Sequence, residues 1–195
     1  MELVYIEDQT FNKITFLDTP LDKGEYENCI FNNCDWSKAA IAGFVFSNCT
    51  FNACNLSMAQ LVKTAFQQVV FIDCKMLGLL FNDCNEFGLS FTFNNCTLNH
   101  SSFYKTTIKK TIFNNSEMKE VDFTECNLSA AVFNNCDLTG TVFFRANLEK
   151  TDFRKANNYV IDPSENKIKK AKFSVFGIAG LLNKYDIIIE NELTI

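Results

Sequence analysis

Large apolar side chains recur at every fifth position along most of the chain. From Phe11 the series runs through Phe16, Leu21, Tyr26, Phe31, Trp36, Ile41, Phe46, Phe51, Leu56, Leu61, Phe66, Phe71, Met76 and Phe81. Glu86 interrupts it, and it resumes two positions out of phase at Phe93. From there it passes through Leu98, Phe103, Ile108, Phe113, Met118, Phe123, Leu128, Phe133, Leu138, Phe143 and Leu148 to Phe153. A period of five fits neither the helical period of 3.6 nor the strand period of 2. It predicts a chain that turns a corner every five residues and points one large side chain inward per side. Phe11, Phe31, Phe51 and Phe71 lie 20 apart, as do Phe93, Phe113, Phe133 and Phe153. Four sides therefore close one coil, and the eight phenylalanines form a ladder through a square solenoid. The step from Phe71 to Phe93 is 22, one coil plus a two-residue insertion.

The position two before each central residue has its own composition. All nine cysteines occupy it (Cys29, Cys34, Cys49, Cys54, Cys74, Cys84, Cys96, Cys126 and Cys136), and most other occupants are small, such as Ala39, Ser101, Thr111 and Ala131. A narrow coil has room for one large and one small side chain per side, and reduced Cys behaves as a small hydrophobe. Leu79 and Phe91, the large exceptions, flank the interruption. Asn or Asp often precedes the central residue (Asn55, Asp122, Asn127, Asp137, Asn147, Asp152), and Asn often follows it. Such side chains hydrogen-bond their own backbone at turns, which suits a corner in every repeat.

Repeats account for residues 1–173, with the register break at about 84–92, and residues 174–195 form a cap and tail. Ile168 and Phe173 stay in phase, so a last partial coil is expected. Ser174 then reads as a helix N-cap before Val175, Ile178, Ala179, Leu181 and Leu182, and Ile187, Ile188 and Ile189 as a short strand. Ile178, Leu181, Leu182, Tyr185 and the three isoleucines would leave an apolar surface and a strand edge that invite a second copy.

Composition removes several function classes. Only one His is present, with no carboxylate dyad and no Gly-rich phosphate loop, which leaves little for acid–base, zinc or phosphate chemistry. No metal, cofactor or enzymatic activity is expected. His100 falls at an outward, solvated position. Cys34, Cys54 and Cys74 should stack about 4.8 Å apart, yet they point inward and read as buried, inert thiols. No apolar run is long enough to span a membrane, and the N-terminus lacks the basic start and apolar core of a signal peptide. The expected address is the cytoplasm, with reduced thiols. Tyr104 and Phe144 fall at outward positions and would serve as protein-contact anchors.

The segments Cys126-Asn127-Leu128-Ser129-Ala130, Cys136-Asp137-Leu138-Thr139-Gly140, Ala146-Asn147-Leu148-Glu149-Lys150 and Thr151-Asp152-Phe153-Arg154-Lys155 resemble the pentapeptide-repeat consensus A(N/D)LXX. The resemblance covers roughly residues 9–173. It implies an all-β, right-handed quadrilateral β-helix with a C-terminal capping α-helix and short β-tail. About eight coils with a cap helix and tail, and the break at Cys84-Asn85-Glu86-Phe87-Gly88, are similar to the quinolone-resistance (Qnr-type) and MfpA-like branch. The chain lacks the two long surface loops of the plasmid-borne members and is closer to loopless chromosomal relatives. That branch implies a homodimer through the C-terminal cap and binding to DNA gyrase or topoisomerase IV as a DNA mimic, with protection against fluoroquinolones.

Charge bears on that expectation. The chain carries 18 basic and 23 acidic residues, a net −5, which disfavours direct binding to nucleic acid. Residues 1–90 hold 11 acidic and 5 basic side chains, and residues 91–160 hold 7 and 8. Glu117, Glu120, Asp122 and Glu125 make one local acidic patch on adjacent sides of one coil, a candidate partner-binding surface, with Lys109, Lys110 and Lys119 nearby. The alternative to a topoisomerase partner is a structural interaction scaffold with an unrelated one.

Overall fold

The structure, a computed structural model, describes residues 4–190. Twelve short strands follow the chain: β1 (Val4–Glu7), β2 (Thr10–Asn12), β3 (Gly24–Glu27), β4 (Ile30–Asn32), β5 (Val45–Ser47), β6 (Thr50–Asn52), β7 (Ala65–Gln67), β8 (Val69–Ile72), β9 (Phe91–Asn94), β10 (Ile112–Asn114), β11 (Val132–Asp137) and β12 (Asp152–Asn157). All pair in parallel. One sheet runs β1-β3-β5-β7, and a second runs β2-β4-β6-β8-β9-β10-β11-β12. The other two sides are held by isolated parallel bridges at the same spacing, such as Thr15↔Asp35 and Ala40↔Gln60. The chain is a parallel β-solenoid with four sides, named here by their first inward residues: the Phe11, Phe16, Leu21 and Tyr26 sides.

Burial follows the sequence pattern. Phe31, Phe51, Phe71, Phe93, Phe113, Phe133 and Phe153 are buried, and Phe11 is half-buried at the open first coil. Consecutive rings stack with centroids 4.7–5.3 Å apart, and Phe173 adds a further rung 5.4 Å from Phe153. A second ladder changes side at the break. Tyr26, Phe46 and Phe66 stack on the Tyr26 side of the first half, and Phe81, Phe103, Phe123 and Phe143 on the Leu21 side of the second. Phe44 is also buried, stacked on Tyr26 and Phe46, at a position expected to be small.

The small inner position has a hydrogen-bonding reason as well as a steric one. There, Cys54 Sγ donates to the Phe31 carbonyl (3.2 Å), Cys49 Sγ to that of Tyr26 (3.2 Å), Thr64 Oγ1 to that of Ile41 (2.7 Å) and Thr141 Oγ1 to that of Met118 (2.6 Å). Cys, Ser and Thr thus occupy little volume and satisfy a carbonyl of the coil below. All nine cysteines are free and buried. Burial pushes the thiols of Cys49 and Cys126 up to about 12; at Cys54 and Cys74 hydrogen bonds along the cysteine stack act first, one lowering and one raising each thiol, and with burial the net shift is up to about 12.

Corners form as the Asn and Asp positions predict. The side-chain oxygens of Asp35, Asp122, Asn127 and Asp152 each accept the backbone N–H two residues on, at 2.8–3.2 Å. Two residues after most central positions the backbone turns left-handed, with φ between 48 and 62° at non-glycine residues such as Asn28, Lys38, Ala53 and Glu120. Asn at the following position builds amide ladders: Asn32 Nδ2 donates to Asn12 Oδ1 (3.0 Å), Asn52 to Asn32 (3.2 Å), Asn114 to Asn94 (2.8 Å) and Asn134 to Asn114 (3.2 Å).

At the break, Glu86, Phe87 and Gly88 loop outward, and Phe87 is 82% exposed. Leu89 and Phe91 fill the interior instead, Phe91 lying 5.0 Å from the Phe93 ring. Phe71 and Phe93 remain stacked within 10° of parallel, so the insertion is confined to one side of one coil.

The C-terminal cap differs from expectation in length and regularity. Ser174 is an N-cap, its Oγ accepting from Gly177 N at 3.1 Å, but of a 3-10 turn over Val175–Gly177. The α-helix, α1, spans only Ala179–Leu182, and a second 3-10 turn covers Asn183–Tyr185. Gly177 and Gly180 let this segment lie on Tyr159, because a Cβ on Gly180 would collide with the Tyr159 carbonyl oxygen and one on Gly177 with its hydroxyl. Leu181 packs on the core, whereas Val175 and Phe176 face outward. The expected tail strand over Ile187–Ile189 is not formed within residues 186–190, and the rest of the tail lies outside the described residues. No helix in the described residues is long and apolar enough to cross a membrane.

Candidate interaction surfaces

Each five-residue side exposes the residues before and after its central one and the left-handed corner residue. Strand pairing stacks these outward positions in columns, so a surface is read coil by coil. Shallow depressions line the exterior, such as the one bounded by Met58, Val62, Gly78 and Leu80. Among the described residues no group of three His, Cys, Asp or Glu is placed to hold a metal ion.

The four carboxylates singled out from the sequence do fall on neighbouring sides of one coil. Glu117 and Glu120 flank Met118, and Asp122 and Glu125 flank Phe123. Their charge is largely matched. Lys119 Nζ contacts both Glu117 and, at 3.7 Å, Asp137. His100 Nδ1 lies 3.2 Å from Glu120, and Lys105 Nζ 3.6 Å from Glu125. Asp122 Oδ1 accepts the Thr124 N–H as a corner residue. The contacts with Glu117 and Asp137 hold the Lys119 ammonium above its ordinary range. Exposed pairs of this kind contribute about 0–1 kcal/mol each, and they leave a mixed surface rather than a negative one. His100 is exposed, as expected, and its partner is a carboxylate.

Acid is concentrated elsewhere, where the sequence reading placed no site. Residues 1–27 hold seven acidic and two basic side chains, whereas residues 145–172 hold four acidic and eight basic. All seven ion pairs among the described residues involve residues from 100 onward. Glu7, Asp8, Asp18, Asp22, Glu25 and Glu27 have no cation within 4 Å among those residues. The Tyr5 hydroxyl donates to Glu27 at 2.6 Å, and this bond, with the charge of the Glu27 carboxylate, raises the phenol to about 12. Counting charge in windows would have shown this polarity, but only the coil geometry places Glu7 directly below Glu27.

Besides single exposed residues such as Leu17, Met58 and Phe87, apolar exposure is grouped in two places. The Leu21 side carries Val62, Leu80, Tyr104, Val142 and Phe144 at outward positions, so Tyr104 and Phe144 share one side, two coils apart. Lys105 Nζ and the Arg145 guanidinium each lie 4.9 Å from those ring centroids. The cap exposes Phe176 (95%), Ile188 (88%), Ile178, Tyr185, Ile187 and Ile189, while Leu181 and Leu182 are half-buried against the last coil.

Residues 89–159 match the family model described as a pentapeptide repeat region. No curated protein matches the sequence. Among solved structures, a trypsin-treated variant of QnrB1, described as a plasmid-mediated fluoroquinolone resistance protein, matches at 19% identity and a TM-score of 0.49, covering 96% of this chain and 98% of that one. Full-length QnrB1 matches at 18% identity and a TM-score of 0.49, with coverages of 94% and 100%. A pentapeptide repeat protein, Rfr23, from the cyanobacterium Cyanothece 51142 matches at 12% identity and a TM-score of 0.20, with coverages of 88% and 84%. Residues 89–159 are a pentapeptide repeat region, and the same five-residue geometry runs outside that stretch from the first coil to Phe173.

Proposed function

We propose that the chain is a non-catalytic binding rod that occupies the DNA-binding surface of a type II topoisomerase, DNA gyrase or topoisomerase IV, and so lessens fluoroquinolone action. The observation that carries this reading is the unmatched acid of the first two coils, mounted on a rigid solenoid about 40 Å long at roughly 4.8 Å per coil. A protein surface built for phosphate attracts such an array, and unpaired carboxylates present more charge than ones already matched to lysine. The contact surface is therefore shifted from the Glu117–Glu125 patch, whose carboxylates are mostly paired, to Glu7, Asp8, Glu25 and Glu27. The cap residues Ile178, Tyr185, Ile187, Ile188 and Ile189, with Leu182, join two rods end to end.

Displacement of labelled duplex DNA from gyrase tests the binding step. Wild-type protein is expected to displace DNA, and a Glu7→Gln/Glu25→Gln/Glu27→Gln variant to do so at least about tenfold less well. Equal displacement by the two, with loss in a Glu117→Gln/Glu120→Gln/Glu125→Gln variant, would return the site to the Glu117–Glu125 patch. The second reading, a scaffold for an unrelated partner, is favoured by the opposite charge of the two ends, since a DNA mimic needs only one sign. Absence of any displacement would select it.

A further inference from the structure

We propose that the Tyr26 side is a self-complementary interface on which a second copy of this chain lies antiparallel, side by side with the first. This contact is separate from the end-to-end contact at the cap, and it engages the same first-coil acids as the topoisomerase reading, so the two contacts exclude one another. The side consists of nine rows, one per coil, centred on Ile6, Tyr26, Phe46, Phe66, the 85–90 loop, Ile108, Leu128, Leu148 and Ile168. Pairing of β1, β3, β5 and β7 stacks the first four, and the bridges Thr107↔Asn127, Asn127↔Asn147 and Asn147↔Lys167 stack the last four.

Charge along this side is segregated by row. The first two rows present Glu7, Asp8, Glu25 and Glu27, and the last two present Lys150, Lys167, Lys169 and Lys170, with Glu149 as the one acid among them. The third, fourth and seventh rows carry no charged outward residue, showing Val45, Ser47, Gln67, Asn127 and Ser129. None of the charged residues on this side enters any of the seven ion pairs among the described residues, which lie on the Phe11, Phe16 and Leu21 sides or at the cap, although Glu27 accepts the Tyr5 hydroxyl. Unmatched within one chain, the first-row acids can be matched by the last-row lysines of a second.

A two-fold axis through the fifth row sends row one to row nine and row two to row eight. It sets Glu7 against Lys169 and Asp8 against Lys170 of the second copy; in the second row Glu25 meets Asn147 and Glu27 meets Glu149, a like-charge contact that Lys150 and Lys169 flank. Parallel packing would set the acidic rows against each other and the lysine rows against each other, so the charges select the antiparallel arrangement. The fifth row lies on the axis, and it is the row that holds the outward loop with Phe87, 82% exposed. The two copies thereby bring their Phe87 rings together at the centre of the interface, where an aromatic anchor contributes most. Glu86 in the same row lies one row from Lys109 and Lys110. A strip of nine rows is about 40 Å long, and a width of about 20 Å would bury about 800 Å² on each copy, the size of a standard specific interface.

Sedimentation velocity on the full-length chain tests the arrangement. In a full-length Leu182→Asp/Ile188→Asp background, which removes the end-to-end contact, dimer is expected at roughly 50 mM salt and dissociation at roughly 500 mM, where the screening length falls to a few ångströms. Lys167→Glu/Lys169→Glu/Lys170→Glu, and separately Glu7→Lys/Asp8→Lys, should each weaken self-association at least about tenfold, and mixing the two variants should restore a dimer. Phe87→Cys should cross-link two chains under mild oxidation, since the native thiols are buried; an end-to-end contact at the cap would hold these positions far too distant. A wild-type monomer at all salts, a dimer indifferent to both reversals, or a dimer that Phe87→Cys does not cross-link would overturn the proposal. Binding of the lysine rows to a heparin column without self-association would overturn it in favour of a polyanionic partner.

Discussion

Asp and Asn before the central residue write the corner directly into the sequence, because a short side-chain oxygen captures the N–H two residues on, as Asp122 does for Thr124. The left-handed residue two after the centre was not legible, since Lys38, Ala53, Met58 and Glu120 share that conformation with Asn28. An L-residue other than Asn or Asp loses about 1–2 kcal/mol there, while Gly loses about 0.5–1 kcal/mol of entropy on ordering. Ala53→Gly should therefore raise stability by up to about 1 kcal/mol, readable as a higher urea midpoint; a lower midpoint would show that the corner is unstrained. In the ladder, Phe113 stacks between Phe93 and Phe133 at 5.2 and 4.9 Å. Phe113→Ala should cost about 3–5 kcal/mol, because fixed coils above and below cannot collapse into the cavity. Phe44 escaped notice because its position predicts a small side chain, and only the packing shows space for a third stacked ring beside Tyr26 and Phe46.

Buried thiols add a pH dependence whose sign is fixed. Folding favours the neutral thiol at Cys49 and Cys126, where burial raises it from 9.0 to about 12. This stabilisation is complete below pH 9 and is lost as pH rises from 9 towards 12. The urea midpoint should fall steadily across that window, and a thiol reagent at pH 8 should label no native cysteine in the solenoid but all nine after unfolding. Rapid labelling of the folded chain would contradict the inward placement.

Among the elements, the repeat coils were readable and the two irregular segments were not. The register slip from Glu86 to Phe93 locates the break, but which residues leave the interior depends on packing: Phe87 goes out, and Leu89 and Phe91 go in. The cap was anticipated as one amphipathic helix because Val175, Ile178, Leu181 and Leu182 have helical spacing. Close approach to Tyr159 divides it instead, with Gly177 and Gly180 at the contact. Lys184 then anchors the segment to Asp162 of the last coil at 2.7 Å, and with Ser164 holds that carboxyl down to about 2. Gly180→Ala should free the cap while sparing the coils. Limited proteolysis would then cut near residues 174–185 much faster than in wild type, with an unchanged cooperative melt of the solenoid. Equal protease resistance would place the anchoring contact elsewhere.

For the whole molecule, polarity is the feature that decides function. A net −5 conceals an acidic first end and a basic last end, and the lone patch legible by eye, Glu117 to Glu125, is mostly matched by Lys119, His100 and Lys105. Those partners come partly from a neighbouring coil 20 residues away, a distance at which sequence proximity says nothing. The central claim, that unpaired acid at the first coils engages a topoisomerase, is tested most directly by gyrase supercoiling in the presence of ciprofloxacin, with this protein titrated in. Wild-type protein is predicted to restore supercoiling at low concentration and to inhibit at high. The Glu7→Gln/Glu25→Gln/Glu27→Gln variant should lose both effects while melting like wild type. A flat wild-type titration, or full protection by that variant, would contradict the account.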